Sequence, residues 1–184
     1  MEEVTVRSAD EMRAFGRGLA SRLRSGDLVV LTGPLGAGKT TLVQGIGAGL
    51  NVRGPITSPT FVIARVHPPL GGARDGTAPG PALVHVDAYR LGGPAEVDDL
   101  DLDMDLDSAV TVVEWGGGLV EGLSDDRLEV TISLAGDEPG EEPRERPVGE
   151  PGEEPGGGAD EARMVRVSGT GARWAAAGSS ARTP

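Results

Sequence analysis

Residues 33–40 read Gly33-Pro34-Leu35-Gly36-Ala37-Gly38-Lys39-Thr40, which fits G-x-x-x-x-G-K-[ST] in full. The motif constrains the fold because its chemistry needs a strand before it and a helix after it. The aliphatic run Asp27–Thr32 (DLVVLT) precedes it, and residues 40–50 follow with a helix-compatible sequence. Glycines let the backbone turn with its N–H groups inward, and the helix N-terminus adds roughly half a positive charge, so the loop is suited to phosphate oxygens. Lys39 serves as a point charge for the outer phosphates, and the Thr40 hydroxyl as a ligand for Mg²⁺. Of 17 basic residues 16 are arginine, and Lys39 is the only lysine in the chain.

A phosphate loop of this kind belongs to an open α/β sheet, where ligands lie beyond the carboxyl ends of the strands. Two further strand-like runs end there in a carboxylate: Leu83–Val86 leads to Asp87, and Val110–Val113 leads to Glu114. Together they suggest a metal- and water-handling pair split over two strands, one holding Mg²⁺ and the other orienting or deprotonating water. The residues themselves leave the division of labour open. Thr57-Ser58-Pro59-Thr60-Phe61 places hydroxyls where nucleotide-sensing loops meet a terminal phosphate, although such clusters are usually turns. His85 reads as a structural histidine on the strand face of Asp87, and Phe61, Tyr89 and Trp115 as aromatics close to the site residues.

The remaining pattern gives a strand at Val4–Arg7 and a helix capped by Ser8 or Asp10 that runs to about Arg24, with Met12, Phe15, Leu19 and Leu23 on one face. Strands follow at 61–67 and 82–87, expected to pair antiparallel, with a short helix over 94–100. The last two strands, 127–134 and 164–169, are expected to be partners. The fold class expected is a phosphate-loop α/β three-layer sandwich with a mixed central sheet. Its domain would span residues 1–135, with 162–174 returning to it as a strand and 175–184 fraying. Between them, residues 136–161 hold ten acidic and two basic residues, and proline recurs every fourth position from 139 to 155. Without large apolar residues such a segment cannot offset its ordering entropy, so it is expected to be a solvated spacer. Residues 68–81 form a second Pro/Gly-rich stretch.

Composition excludes several classes. No cysteine means no disulfides, thiolate metal sites or thiol nucleophile, and two histidines argue against a His-rich metal centre. A net charge of −12 disfavours autonomous nucleic-acid binding. No apolar run approaches the ~20 residues that span a bilayer, and the acidic N-terminus lacks the features of a signal peptide, so the expected location is the cytoplasm.

LTGPLGAGKTT, then TSPTF, HVDAYRL and VEWGGGL, in this order and spacing, resemble the bacterial TsaE (YjeE) family over about residues 4–134, with VRVSGTGARW near the end. The resemblance implies a weak ATPase that binds ATP or ADP with Mg²⁺ and acts in threonylcarbamoyladenosine formation in tRNA. Its implied partners are the TsaB–TsaD pair, which carries out the transfer and meets the tRNA, while ATP binding and hydrolysis reset the complex; alone the protein would be monomeric. By resemblance, Thr40 and Glu114 match the Mg²⁺ positions, Asp87 an essential acid near the γ-phosphate, Thr60 a switch-like threonine and Trp115 the aromatic after the glutamate. Lys39, Asp87, Glu114 and Thr60 are thus the catalytic candidates. Gly33, Leu35, Gly36, Ala37, Gly38, Lys39, Thr40 and Thr41 form the nucleotide cradle, with backbone near Ala9 beside the adenine. The 136–161 insert departs from the family pattern. A small-molecule kinase is the alternative, but the regions available for a lid, 68–81 and 92–107, carry only Arg74 between them. A GTPase would need an N-K-x-D motif that the single lysine forbids, and a silent nucleotide-binding adaptor would keep the same cradle.

Overall fold

The computed structural model describes residues 1–71, 80–98, 108–134 and 162–175. The expected insert at 136–161, the centre of the 68–81 stretch and the tail beyond Ala175 lie outside these. The elements run β1 (Glu2–Val6), α1 (Ala9–Ala20), β2 (Leu28–Thr32), α2 (Lys39–Gly49), β3 (Ala64–His67), β4 (Ala82–Asp87), α3 (Pro94–Asp98), β5 (Ala109–Glu114), β6 (Arg127–Leu134), β7 (Arg163–Thr170) and α4 (Ala172–Ala175).

Seven strands form one sheet in the order β1-β7-β6-β2-β5-β4-β3. The four central strands β6, β2, β5 and β4 are parallel, and the flanking pairs β3–β4, β6–β7 and β1–β7 are antiparallel. β2, β4 and β5 are nearly continuous aliphatic runs because both their faces are covered. β6 alternates instead: Leu128, Val130 and Ile132 are buried and the residues between them face outward. α1 and α2 cover one face, over a core that includes Met12, Leu42, Ile46, Val112 and Ile132. The opposite layer is thinner. Val97 of α3 and Val120, with Leu119 and Leu123 of a turn, close over Val30, Val86 and Val113.

β1 runs over Glu2–Val6 rather than Val4–Arg7, residues 99–100 of the expected 94–100 helix lie outside the described residues, and two other boundaries move by three residues or more. α1 stops at Ala20 rather than near Arg24, because the Ser21 hydroxyl donates to the Gly18 carbonyl at 2.7 Å and the backbone tightens into three-residue turns through Leu23. Leu23 is buried all the same. β3 starts at Ala64 rather than Phe61. Val62 and Ile63 both donate their amides to the Pro59 carbonyl, and Ile63 has a φ of 67°, so residues 59–63 form a turn that leaves Phe61 in solvent.

Candidate functional site

The loop after β2 is shaped by its glycines. Gly36 and Gly38 have φ of 78° and 104°, where an L side chain is strained. Gly33 also has a positive φ, and a Cβ there would collide with the Ile132 carbonyl of β6. α2 then begins with no side-chain cap and no acid in its first turn. The amides of Gly36, Gly38, Lys39 and Thr40 find no acceptor among the described residues. A helix start of this kind, with a lysine in its first turn, opposes the stabilising pattern of an anion at the N-terminus. An anionic ligand would supply both the missing charge and the missing acceptors.

Lys39 is buried, and its ammonium donates to the carbonyls of Gly33 at 2.8 Å and Pro34 at 2.9 Å while lying 3.6 Å from the centroid of the Trp115 ring. Burial pulls its pKa from 10.5 down to about 8, against the opposing pull of Glu114 and Asp87.

Opposite the loop stand the two strand-end carboxylates. β4 and β5 are parallel neighbours in which Asp87 and Glu114 are register partners, so both side chains leave the same end of the sheet. Glu114 accepts the Thr40 hydroxyl at 2.9 and 3.1 Å from its two oxygens and meets His85 Nε2 at 2.8 Å. Asp87 Oδ2 accepts the Ser58 hydroxyl at 2.9 Å and that of Thr60 at 2.5 Å, while Oδ1 accepts the Tyr89 amide at 3.0 Å. The turn that displaces β3 thus brings its hydroxyls onto Asp87. Trp115, with φ 62°, lies against Tyr89 with ring centroids 5.1 Å apart. These groups enclose a cleft of about 450 Å³.

Leu35, Gly36, Gly38, Lys39, Thr40, Thr41, Thr60, Asp87 and Glu114 all line that cleft. Gly33 and Ala37 support it from outside, one through its carbonyl to Lys39 and the other fully buried beneath the loop. Ala9 opens α1 and is not among the lining residues. Ser58, Tyr89 and Trp115 also line the cleft, and their sequence signal was proximity to the named residues. His85, expected as a structural hydrogen-bonding histidine, makes its hydrogen bond to a site carboxylate; its spacing of two from Asp87 on a strand is the sequence signal that places it there.

The donor set suits the ligands implied by the sequence. Thr40 and Glu114 offer hard oxygens. Mg²⁺ is characteristically held by few protein oxygens together with phosphates and water.

Strand, glycine loop, uncapped helix and paired strand-end carboxylates define a phosphate-loop α/β protein. The chain belongs to the TsaE family: the family model described as "Threonylcarbamoyl adenosine biosynthesis protein TsaE" matches residues 6–144. A tRNA threonylcarbamoyladenosine biosynthesis protein TsaE from Streptomyces coelicolor is 55% identical over 167 residues, which cover 90% of this chain and 95% of the relative. The protein of that name from Mycobacterium tuberculosis is 51% identical over 134 residues, covering 70% and 76%. The one from Bacillus subtilis is 36% identical over 130 residues, covering 70% and 75%. Among solved structures, that of Bacillus subtilis YdiB matches with a TM-score of 0.59 and 25% identity, over 94% of this chain and 89% of that one.

Proposed function

We propose that this protein is a Mg²⁺-dependent ATPase that serves threonylcarbamoyladenosine formation in tRNA by binding and resetting a TsaB–TsaD transferase. The observation that carries the reading is the facing of two unlike groups across one cleft: an uncapped, lysine-bearing helix start and a pair of adjacent strand-end carboxylates. Family membership supports the pathway.

In this reading the free loop amides and Lys39 grip the β- and γ-phosphates. Lys39 exchanges its two carbonyl partners for phosphate oxygens. Thr40 and Glu114 would hold the metal, since the carboxylate already points at that hydroxyl. A magnesium ion held there would supply charge neutralisation at the phosphate oxygens. Asp87, tied to Ser58 and Thr60, faces the terminal phosphate and orients water. The water oxygen bonds to the γ-phosphorus, the bridging P–O bond breaks and ADP leaves with its electron pair. The water's proton passes to Asp87 and then to phosphate. Release of the Ser58 and Thr60 hydroxyls from Asp87 would be the switch-like response to the terminal phosphate.

ATP hydrolysis by the purified chain, alone and with TsaB–TsaD, tests the reading. The expected result is slow turnover that the pair stimulates strongly and that Glu114→Ala abolishes. Robust turnover indifferent to the pair would overturn it and favour an acceptor substrate instead.

A further inference from the structure

His85 has no place in the reading above, yet it is fully buried and spends its one hydrogen bond on Glu114. It sits on β4 opposite Val112 of β5, with Leu83 on the same face two residues earlier, in surroundings that would accept an aliphatic side chain at no polar cost. Its Nδ1 finds no partner, so the fold leaves a buried polar atom unsatisfied to keep Nε2 where it is. A carboxylate only accepts hydrogen bonds, so Nε2 carries the proton. Glu114 Oε1 is therefore held between an imidazole N–H from β4 and the Thr40 hydroxyl from α2.

We infer that His85 is a positioning residue for the metal-binding carboxylate: it fixes the orientation of Glu114 toward Thr40, so that the cation meets a preset pair of oxygens. The inference rests on the assignment of Glu114 and Thr40 to the metal. Hydrogen bonds that orient a ligand set its effectiveness without touching the ion, and their loss typically costs ten- to a hundredfold in metal affinity. His85 leaves the phosphate loop untouched, so nucleotide binding in the absence of metal is independent of it.

The test uses the full chain and a fluorescent ADP analogue, titrated in chelator and then with increasing Mg²⁺. His85→Leu removes the donor. His85→Gln restores an N–H at about the reach of Nε2, whereas His85→Asn is too short. His85→Leu and His85→Asn should raise the Mg²⁺ concentration for half-maximal tightening by about tenfold or more. Both should bind ADP in chelator as wild type does, and His85→Gln should recover most of the metal response. In turnover the loss should fall on kcat, with KM for ATP at saturating Mg²⁺ unchanged. An unchanged Mg²⁺ midpoint in folded His85→Leu would overturn the inference, as would a glutamine variant no better than leucine or an equal loss of binding in chelator. If leucine fails to fold, the glutamine–asparagine difference decides. Glu114→Gln separates the two readings. If it loses the Mg²⁺ response while His85→Leu keeps it, the metal site stands and the inference falls. If wild type binds no ADP, both fall.

Discussion

Lys39 occupies a position that a stability-driven sequence would give to a serine or an acid. It is a buried cation in the first turn of a helix, with burial drawing its pKa down to about 8 and two carboxylates holding it up. Its bonds to the Gly33 and Pro34 carbonyls are the ones that a phosphate would replace under the proposed function. Lys39→Ala should therefore abolish ATP hydrolysis while the chain still folds, measured as phosphate release beside a thermal melt; full activity would refute the phosphate reading. His67 makes a separate point about charge. It is buried on β3 with Nε2 unpartnered, and burial lowers its pKa below the ordinary 6.5. The unfolded chain then binds the proton more readily, so this contribution is complete above pH 6.5 and is lost as pH falls through the folded value. The denaturation midpoint of wild type should drop relative to His67→Gln as pH is lowered below 6.5, and parallel curves would show that burial of the ring carries no linkage.

Glycines let α1 and α2 approach closely beside their shared apolar core. A Cβ on Gly16 would lie 2.5 Å from the Leu42 carbonyl, and one on Gly45 would collide with the Arg13 carbonyl. Backbone is what blocks these positions, so no rotamer change can relieve the clash. Gly45→Ala should cost about 1–3 kcal/mol, the range for overpacking, read as a lowered urea midpoint with the slope unchanged. The close crossing matters to the site because Met12 of α1 lies against Gly38 at the start of α2. α1 is fixed at its own start by two bonds: Ser8 accepts the Glu11 amide at 3.1 Å, and the Glu11 carboxylate accepts the Arg7 amide at 2.8 Å. Ser8→Ala should lower stability by about 1 kcal/mol in the same assay.

At the scale of the molecule, the sheet delivers three of the four catalytic candidates to one edge: the carboxyl ends of β2, β5 and β4 carry the Lys39 loop, Glu114 and Asp87, and the turn before β3 adds Thr60. The acidic insert joins Leu134 to Arg163, which are register partners in the β6–β7 pair. Because Thr131 of β6 lies beside Thr32 of β2, β6 ends at Leu134 on that edge, two strands away from Glu114. Deleting residues 137–160 would leave four residues between Leu134 and Arg163, a length that closes a hairpin. ADP affinity should survive the deletion. A loss beyond tenfold, about 1.4 kcal/mol, would show that the insert contributes to the site and is more than a spacer.

Much of this was legible before any coordinates. The phosphate loop between strand and helix, the aliphatic runs of β2, β4 and β5 and the carboxylates that end two of them are local patterns, fixed by backbone geometry and by burial on both faces. Element ends were harder wherever a side chain competed with the backbone, as Ser21 does for the Gly18 carbonyl and the 59–63 turn does against strand extension. Chain order could place Asp87 and Glu114 at strand ends but could not say that β4 and β5 are neighbours, and their pairing is what makes the two carboxylates one site. Nor could it distinguish a structural histidine from one aimed at Glu114, since that depends on which strand lies next to β4. The sequence by itself determined the chemistry available, because residue type and local spacing decide which groups can bind phosphate or metal. Only the tertiary structure decided which groups meet, because strand order and register bring together residues that lie far apart along the chain.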